Sequence, residues 1–210
     1  MTRLNLPPEL AELYSQRRVE IRTRLLEFEA VLPEDRFYEM CFCLLTPQSS
    51  ALHANAVVQS LKCVHYQEDG PDVLHLLRQP NQYIRFHNTK HGRLAKARAQ
   101  WPTIAAVIEQ KDISPLERRD IIAETIDGFG LKEASHFLRN IGVRGLAILD
   151  RHMLTNLVRC GLYDEVPSLS TKNRYKEVER LFLESCRSSG FDPDEIDLLF
   201  WCAQTGYILK

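Results

Sequence analysis

No two of the six cysteines are spaced as a CxxC pair: Cys41, Cys43, Cys63, Cys160, Cys186 and Cys202 are scattered along the chain. A zinc ribbon or an iron–sulfur cluster needs closely grouped thiolates, so no metal is expected from cysteine. Four of the six lie inside apolar helical patterns and read as buried free thiols. Long hydrophobic runs are missing too. MCFCLL and LAIL are short and bounded by charges or proline, and MTRLNLPPELAEL at the start lacks the n-region and cleavage site of a secretory signal. A soluble cytoplasmic protein with no membrane attachment is expected. Strand alternation is nowhere convincing, and repeats, low-complexity tracts and flexible linkers are not found. Neither sign of charge dominates: 27 Lys and Arg against 28 Asp and Glu give a formal net charge of −1. That excludes a global basic field of the kind that suggests nucleic acid outright, so any such face must be local.

What remains is a chain of 210 residues, 44% hydrophobic and 26% charged, which is long enough to bury a core as one domain or two small lobes. Apolar residues recur at helical spacing almost throughout. Leu10, Leu13, Ile21, Leu25 and Phe28 track one face of a long first helix, with Arg17 at its margin. Thr46-Pro47, Ser114-Pro115 and Asp192-Pro193 each place a capping side chain before a proline at the first helical position, and Glu195 is expected to complete a capping box with Asp192. The punctuation predicts an all-α protein with helices near 8–31, 35–45, 47–62, 71–78, 80–87, 91–100, 103–110, 115–127, 131–141, 151–161, 171–189 and 193–206. Loops are expected at 68–71 and 164–171.

Two local groups of cations stand out. Lys90, Arg93, Lys96 and Arg98 come with His91 and no acid, and Arg139, Arg144, Arg151 and His152 form a looser set. Charge runs of this kind are solvated faces more often than binding sites. A more specific signal is IDGFGLKEASHFLRNIG from Ile126 to Gly142. One glycine would suffice to end a helix. Gly128 and Gly130 around Phe129 instead describe a helix-hairpin-helix, in which a phosphate can approach the backbone and the first N–H groups of the second helix. An ordinary αα-turn is the plain alternative, and a lone GxG does not decide between them.

Lys132 adds weight, because the first turn of a helix disfavours a cation and prefers a carboxylate. A lysine there is pushed toward the neutral, nucleophilic amine that can form a Schiff base, although a solvated surface lysine satisfies the same position. Downstream, GLAILDRHML carries Asp150 directly before a new helix. Asp is a preferred N-cap, and a carboxylate held by helix N–H groups can also stabilise positive charge developing on a sugar. The two roles are compatible.

The string from Asp127 to Gly142 followed by AILDRH resembles the helix-hairpin-helix DNA glycosylase superfamily. CFCLLTPQSSA at 41–51, YIRFHNTKHGRLAKAR at 83–98 and the ending FWCAQTGYILK are similar to the second, archaeal-type family of 8-oxoguanine DNA glycosylases, in order and over nearly the whole chain. The resemblance implies a two-lobed helical fold with its cleft between lobes, the hairpin at 115–141, and no cofactor. It implies a bifunctional enzyme in which Lys132 displaces the base at C1′ and the imine permits β-elimination, with Asp150 assisting base departure. Phe86, Trp201 and the terminal Lys210 match positions that recognise the base. Gln48 matches the residue inserted into the gap left by the extruded nucleotide. The hairpin residues Gly128, Phe129 and Gly130, together with Lys90, Arg93 and His152, are the expected DNA contacts. The implied partner is double-stranded DNA containing 8-oxoguanine, met by a monomer associated with the nucleoid. The chain is less basic than expected of a DNA enzyme, and it lacks the four-cysteine cluster common in the endonuclease III branch. A glycosylase for another oxidised base and a non-catalytic DNA-binding hairpin module are the rival readings.

Overall fold

The computed structural model describes residues 3–208, and every regular element among them is helical. In chain order the helices are α1 (Pro8–Glu29), α2 (Arg36–Leu45), α3 (Ala51–Cys63), α4 (Tyr66–Asp69), α5 (Leu74–Leu77), α6 (His87–Glu109), α7 (Pro115–Thr125), α8 (Leu131–Asn140), α9 (Arg151–Arg159), α10 (Lys172–Ser188) and α11 (Pro193–Thr205), with 3₁₀ turns at Pro33–Asp35 and Pro80–Gln82. They fall into two compact units. One holds residues 31–137 and the other holds 1–30 with 138–210, so that one of the divisions lies within α8.

The unit of residues 31–137 is built on α2, whose residues 37, 38 and 40–45 are all buried. A helix apolar on every side must be enclosed, and α3 and α6 pack against it. Phe37 is the aromatic centre, with Tyr38, Tyr66 and Trp101 rings at 5.3, 6.2 and 5.4 Å. Complete burial of a phenylalanine contributes on the order of 2–3 kcal/mol. α6 runs unbroken through Pro102, where two helices, 91–100 and 103–110, are expected from the sequence. Pro102 removes one N–H from the ladder, and burial of Leu94, Ala97 and Ile104 along one stripe holds both halves in register.

The other unit is organised on α11, against which α1, α9 and α10 pack. Ile196, Leu198, Leu199, Phe200 and Cys202 of α11 are buried, as are Leu10, Tyr14, Ile21, Leu25 and Phe28 of α1. The Asp192 side chain caps α11 by accepting from the Asp194 and Glu195 N–H groups. The expected capping box is not closed there, because the Glu195 carboxylate turns to α1 and accepts from Tyr14 Oη and from Arg22 Nε at 2.7 Å. A closed box is found instead at Ser114 and Glu117. Five of the six free cysteines are buried, and Cys63 is exposed.

Candidate active site

The chain leaves α7 at Thr125 and turns through residues 126–130 into α8. The Phe129 N–H donates to the Ile126 carbonyl at 3.0 Å, closing the turn. Gly128 has φ +97°, a backbone conformation that favours glycine, and a Cβ there would also displace the Arg93 side chain, 2.6 Å away. Gly130 is exposed and donates its N–H to Glu133 Oε2 at 3.2 Å. Phe129 departs from expectation as a DNA contact: its ring is buried and lies 6.2 Å from that of Phe137. Its side chain anchors the turn, leaving backbone and glycines at the surface.

Lys132 sits in the first turn of α8, where helix geometry leaves N–H groups without intrahelical acceptors. Its side chain is 34% exposed and its Nζ lies 3.0 Å from Glu133 Oε1. Glu133 therefore serves both the turn and the lysine, a role that sequence reading overlooks. The signal was available, since a carboxylate at the third helical position is the one that reaches back to the residue before the helix.

The cationic cluster of α6 is largely committed to internal partners, which corrects the expectation of a basic surface there. Lys90 is 2% exposed. Its Nζ donates to the Leu45 and Pro47 carbonyls, both at 2.7 Å, and to Ser49 Oγ at 3.1 Å. A buried ammonium enclosed by three oxygens is not available to a DNA backbone. Arg93 and Lys96 reach Asp127 at 3.6 and 2.6 Å, placing both at the mouth of the hairpin. Lys96 holds the Asp127 carboxyl below its usual range. Arg98 donates to the carbonyls of Gln67 and Glu68.

Gln48 also lies elsewhere than expected. α3 begins at Ala51, so Thr46-Pro47 does not start a helix; Thr46 instead ends α2, and the Ser49 N–H donates to its carbonyl at 2.9 Å. Gln48 is exposed on that turn with φ +56°. Phe86 precedes α6 with φ +58° and is 53% exposed. Left-handed backbone at a non-glycine residue costs on the order of 1–3 kcal/mol and concentrates at functional positions. Arg85 lies over the Phe86 ring at 5.2 Å.

In the other unit, Asp150 is the N-cap of α9 and its Oδ1 accepts from the Met153 N–H at 2.8 Å. The extended segment leading to it is held by α10: Glu179 accepts from the Ala147 N–H at 3.0 Å, while Tyr175 Oη donates to the Ala147 carbonyl at 2.7 Å. The Leu149 N–H donates to the same Tyr175 oxygen at 3.3 Å. Tyr175 and Glu179 are absent from the residues singled out by sequence. A glutamate between Val178 and Phe182 on the buried face of α10 is the mark they leave.

His152 and Trp201 meet edge to face with centroids 6.1 Å apart. The buried Trp201 Nε1 has no hydrogen-bond partner among the described residues. Arg139 is buried and paired with Asp197 at 2.5 Å, and Arg144 bonds Asp192 at 2.8 Å. Arg139 and Arg144 of the second cationic group are thus committed to internal partners, while Arg151 is exposed. Of the residues expected from sequence, the structure assembles Lys132, the hairpin turn at 126–130 and Arg93 in one unit and Asp150, His152 and Trp201 in the other. Lys210 lies outside the described residues.

A family model described as 8-oxoguanine DNA glycosylase matches residues 21–191. The chain belongs to that family. It is 34% identical to the 8-oxoguanine DNA glycosylase/AP lyase of Fusobacterium nucleatum, with 96% of each chain covered. The protein of the same name from Picrophilus torridus is also 34% identical, over 90% of each. The structure of the Methanocaldococcus jannaschii 8-oxoguanine glycosylase/lyase in complex with a 15mer DNA containing 8-oxoguanine superposes with a TM-score of 0.84 at 28% identity, covering 96% of this chain and 97% of that one. The fold is that of these glycosylases.

Proposed function

We propose that this chain excises 8-oxoguanine from double-stranded DNA and cleaves the resulting abasic site, with Lys132 as nucleophile in both steps and Asp150 as the carboxylate assisting base departure. The activity, 8-oxoguanine DNA N-glycosylase with AP lyase, is that of the family to which the chain belongs. The observation that carries the assignment of residues is Lys132 in the first turn of α8, directly after a glycine hairpin. A cation is out of place there against the helix dipole, whereas an amine is well placed beside a bound DNA backbone.

In this reading the nucleotide is extruded and the Lys132 amine attacks C1′ as the N-glycosidic bond breaks, the electron pair leaving with the base. Loss of the amine proton and opening of the sugar give the imine. Removal of a C2′ proton then expels the 3′ phosphate, and water releases Lys132. Glu133 Oε1, 3.0 Å from Nζ, is a ready acceptor for the proton that the ammonium must lose before attack. Asp150 stabilises positive charge on the sugar while its other role keeps α9 capped. Phe86, Trp201 and Lys210 are assigned to base recognition, Gln48 to the gap in the duplex, and the hairpin backbone, Arg93 and His152 to the DNA. The whole chain is taken as one glycosylase of two helical units, with 115–141 as its helix-hairpin-helix.

Among the described residues no helix is long and apolar enough to cross a membrane. The protein is assigned to the nucleoid as a monomer, and a stable dimer in sedimentation would overturn that part. The test of the chemistry is borohydride trapping on a duplex with one 8-oxoguanine. Wild type is expected to give a covalent adduct that Lys132→Gln and an undamaged duplex do not. Trapping by the Lys132→Gln protein would remove Lys132 from the mechanism.

A further inference from the structure

Two of the three non-glycine residues with left-handed backbone among the described residues, Gln48 and Phe86, are tied to a single buried group. Lys90 brackets Gln48: its Nζ holds the carbonyl of the preceding residue, Pro47, and the hydroxyl of the following one, Ser49. Ser49 Oγ in turn accepts the N–H of Arg85 at 3.0 Å, immediately before Phe86. The Lys90 backbone N–H donates to the Phe86 carbonyl at 3.0 Å. One ammonium and one hydroxyl therefore join the two turns, each of which presents an exposed side chain.

A plain packing role does not require this arrangement. Lys90 lies on the same stripe of α6 as Leu94 and Ala97, where a methionine of similar length would fill the space without desolvating a charge. Burial, with Arg93 nearby, pushes the Lys90 amine down to about 8, so enclosing the cation opposes its charged form. What only a cation supplies is three strong donors to oxygens from different segments, one of them the Leu45 carbonyl at the negative end of α2. Those bonds hold Gln48 and Phe86 in backbone conformations that neither prefers.

We propose that Lys90 and Ser49 form a polar knot that fixes Gln48 and Phe86 relative to each other, making Lys90 a positioning residue for nucleotide extrusion rather than a DNA contact. The proposal rests on the glycosylase reading of Gln48 and Phe86. It predicts a split between the two activities, because 8-oxoguanine must be extruded and recognised before excision, whereas a preformed abasic site has no base to read.

The experiment compares full-length wild type, Lys90→Met, Gln48→Ala and the double variant. Single-turnover rates are measured on a duplex with one 8-oxoguanine and on a duplex with one abasic site. Lys90→Met is expected to slow 8-oxoguanine excision by about 10- to 100-fold, the scale of a misplaced positioning group. Abasic cleavage should fall by less than about threefold, and Lys90→Met should cost little more in the Gln48→Ala background, as coupled neighbours behave. Equal losses on both substrates, or full additivity with Gln48→Ala, would overturn the proposal in favour of a purely structural lysine. A salt dependence of binding shallower by about one phosphate contact would overturn it in favour of a direct DNA contact. If Lys90→Met fails to fold, Ser49→Ala carries the test: it cuts the link to Arg85 while leaving both carbonyl bonds, and should show the same split to a smaller degree. An unchanged excision rate in Ser49→Ala would sink the knot. Failure of wild type to excise at all would count against the glycosylase reading instead.

Discussion

At Asp150 an observed cap and a proposed catalytic role fall on one side chain, and a single substitution separates them. Asparagine caps a helix about as well as aspartate, to within a few tenths of a kcal/mol, whereas alanine loses about 1 kcal/mol. Asp150→Asn should therefore keep the bond from the Met153 N–H and leave thermal unfolding nearly unchanged. If the carboxylate stabilises charge on the sugar, single-turnover excision should nevertheless fall by about 10²- to 10³-fold. Asp150→Asn excising at the wild-type rate would reduce Asp150 to a cap. The helix-terminus positions of Lys132 and Asp150 were legible because each breaks or fulfils a capping or dipole rule at an identifiable point in the sequence. Lys90 was misread as a DNA contact because a run of cations suggests an exposed basic surface, whereas its side chain is buried. The spacing of Lys90, Leu94 and Ala97 places it on the buried stripe of α6, but periodicity says only that a side chain points inward, not which oxygens await it there.

Among the elements, the joint between α1 and α11 shows how a capping rule can give way to a tertiary bond. Glu195 could have completed the box with Asp192, yet Tyr14, Arg18 and Arg22 of α1 offer its carboxylate better donors. Burial pushes the Glu195 carboxyl up, but the hydrogen bonds from Tyr14 and Arg22 outweigh it and hold the group below its usual range. A lowered carboxyl contributes stability that is present above its unfolded value and lost as pH falls through its folded one. Tyr14 works at the other end. Burial first, then its bond to Glu195, pushes its hydroxyl up to about 12. Its contribution is complete below its unfolded value near 10 and disappears as pH rises toward 12. Tyr14→Phe should cost about 1.5–3 kcal/mol at neutral pH, as for a buried hydrogen bond to a charged group. It should also flatten the alkaline limb of a stability profile measured by denaturant unfolding from acid to alkaline pH. An unaltered alkaline limb would show that the loss at high pH comes from other groups. Helix starts at Ser114 and Asp192 were readable from local chemistry. The continuity of α6 through Pro102 was not, because burial of side chains on both sides of the proline overrides the break that the residue signals.

For the whole molecule, the class was legible from helical periodicity without strands, and the near-neutral charge already required any DNA face to be local. The structure sharpens that requirement, since Lys90, Arg93, Lys96, Arg98, Arg139 and Arg144 all have internal partners. A protein contacting six to ten phosphates with cations loses affinity with a log–log salt slope of about −5 to −9. With most candidate cations committed, and with backbone N–H groups of the hairpin carrying no net charge to exchange for counterions, the slope here should be no steeper than about −4. Fluorescence anisotropy of the Lys132→Gln protein on an 8-oxoguanine duplex, between about 50 and 200 mM salt, measures it without strand cleavage. Asp127 provides the control. Its carboxylate holds Arg93 and Lys96 at the mouth of the hairpin, so Asp127→Asn should free both cations for phosphate. The slope should then steepen by about one to two contacts and binding at low salt should tighten. A slope near −8 for the Lys132→Gln protein, unchanged by adding Asp127→Asn, would mean that the internal ion pairs open on binding and that the charge of the resting molecule says little about its grip on DNA.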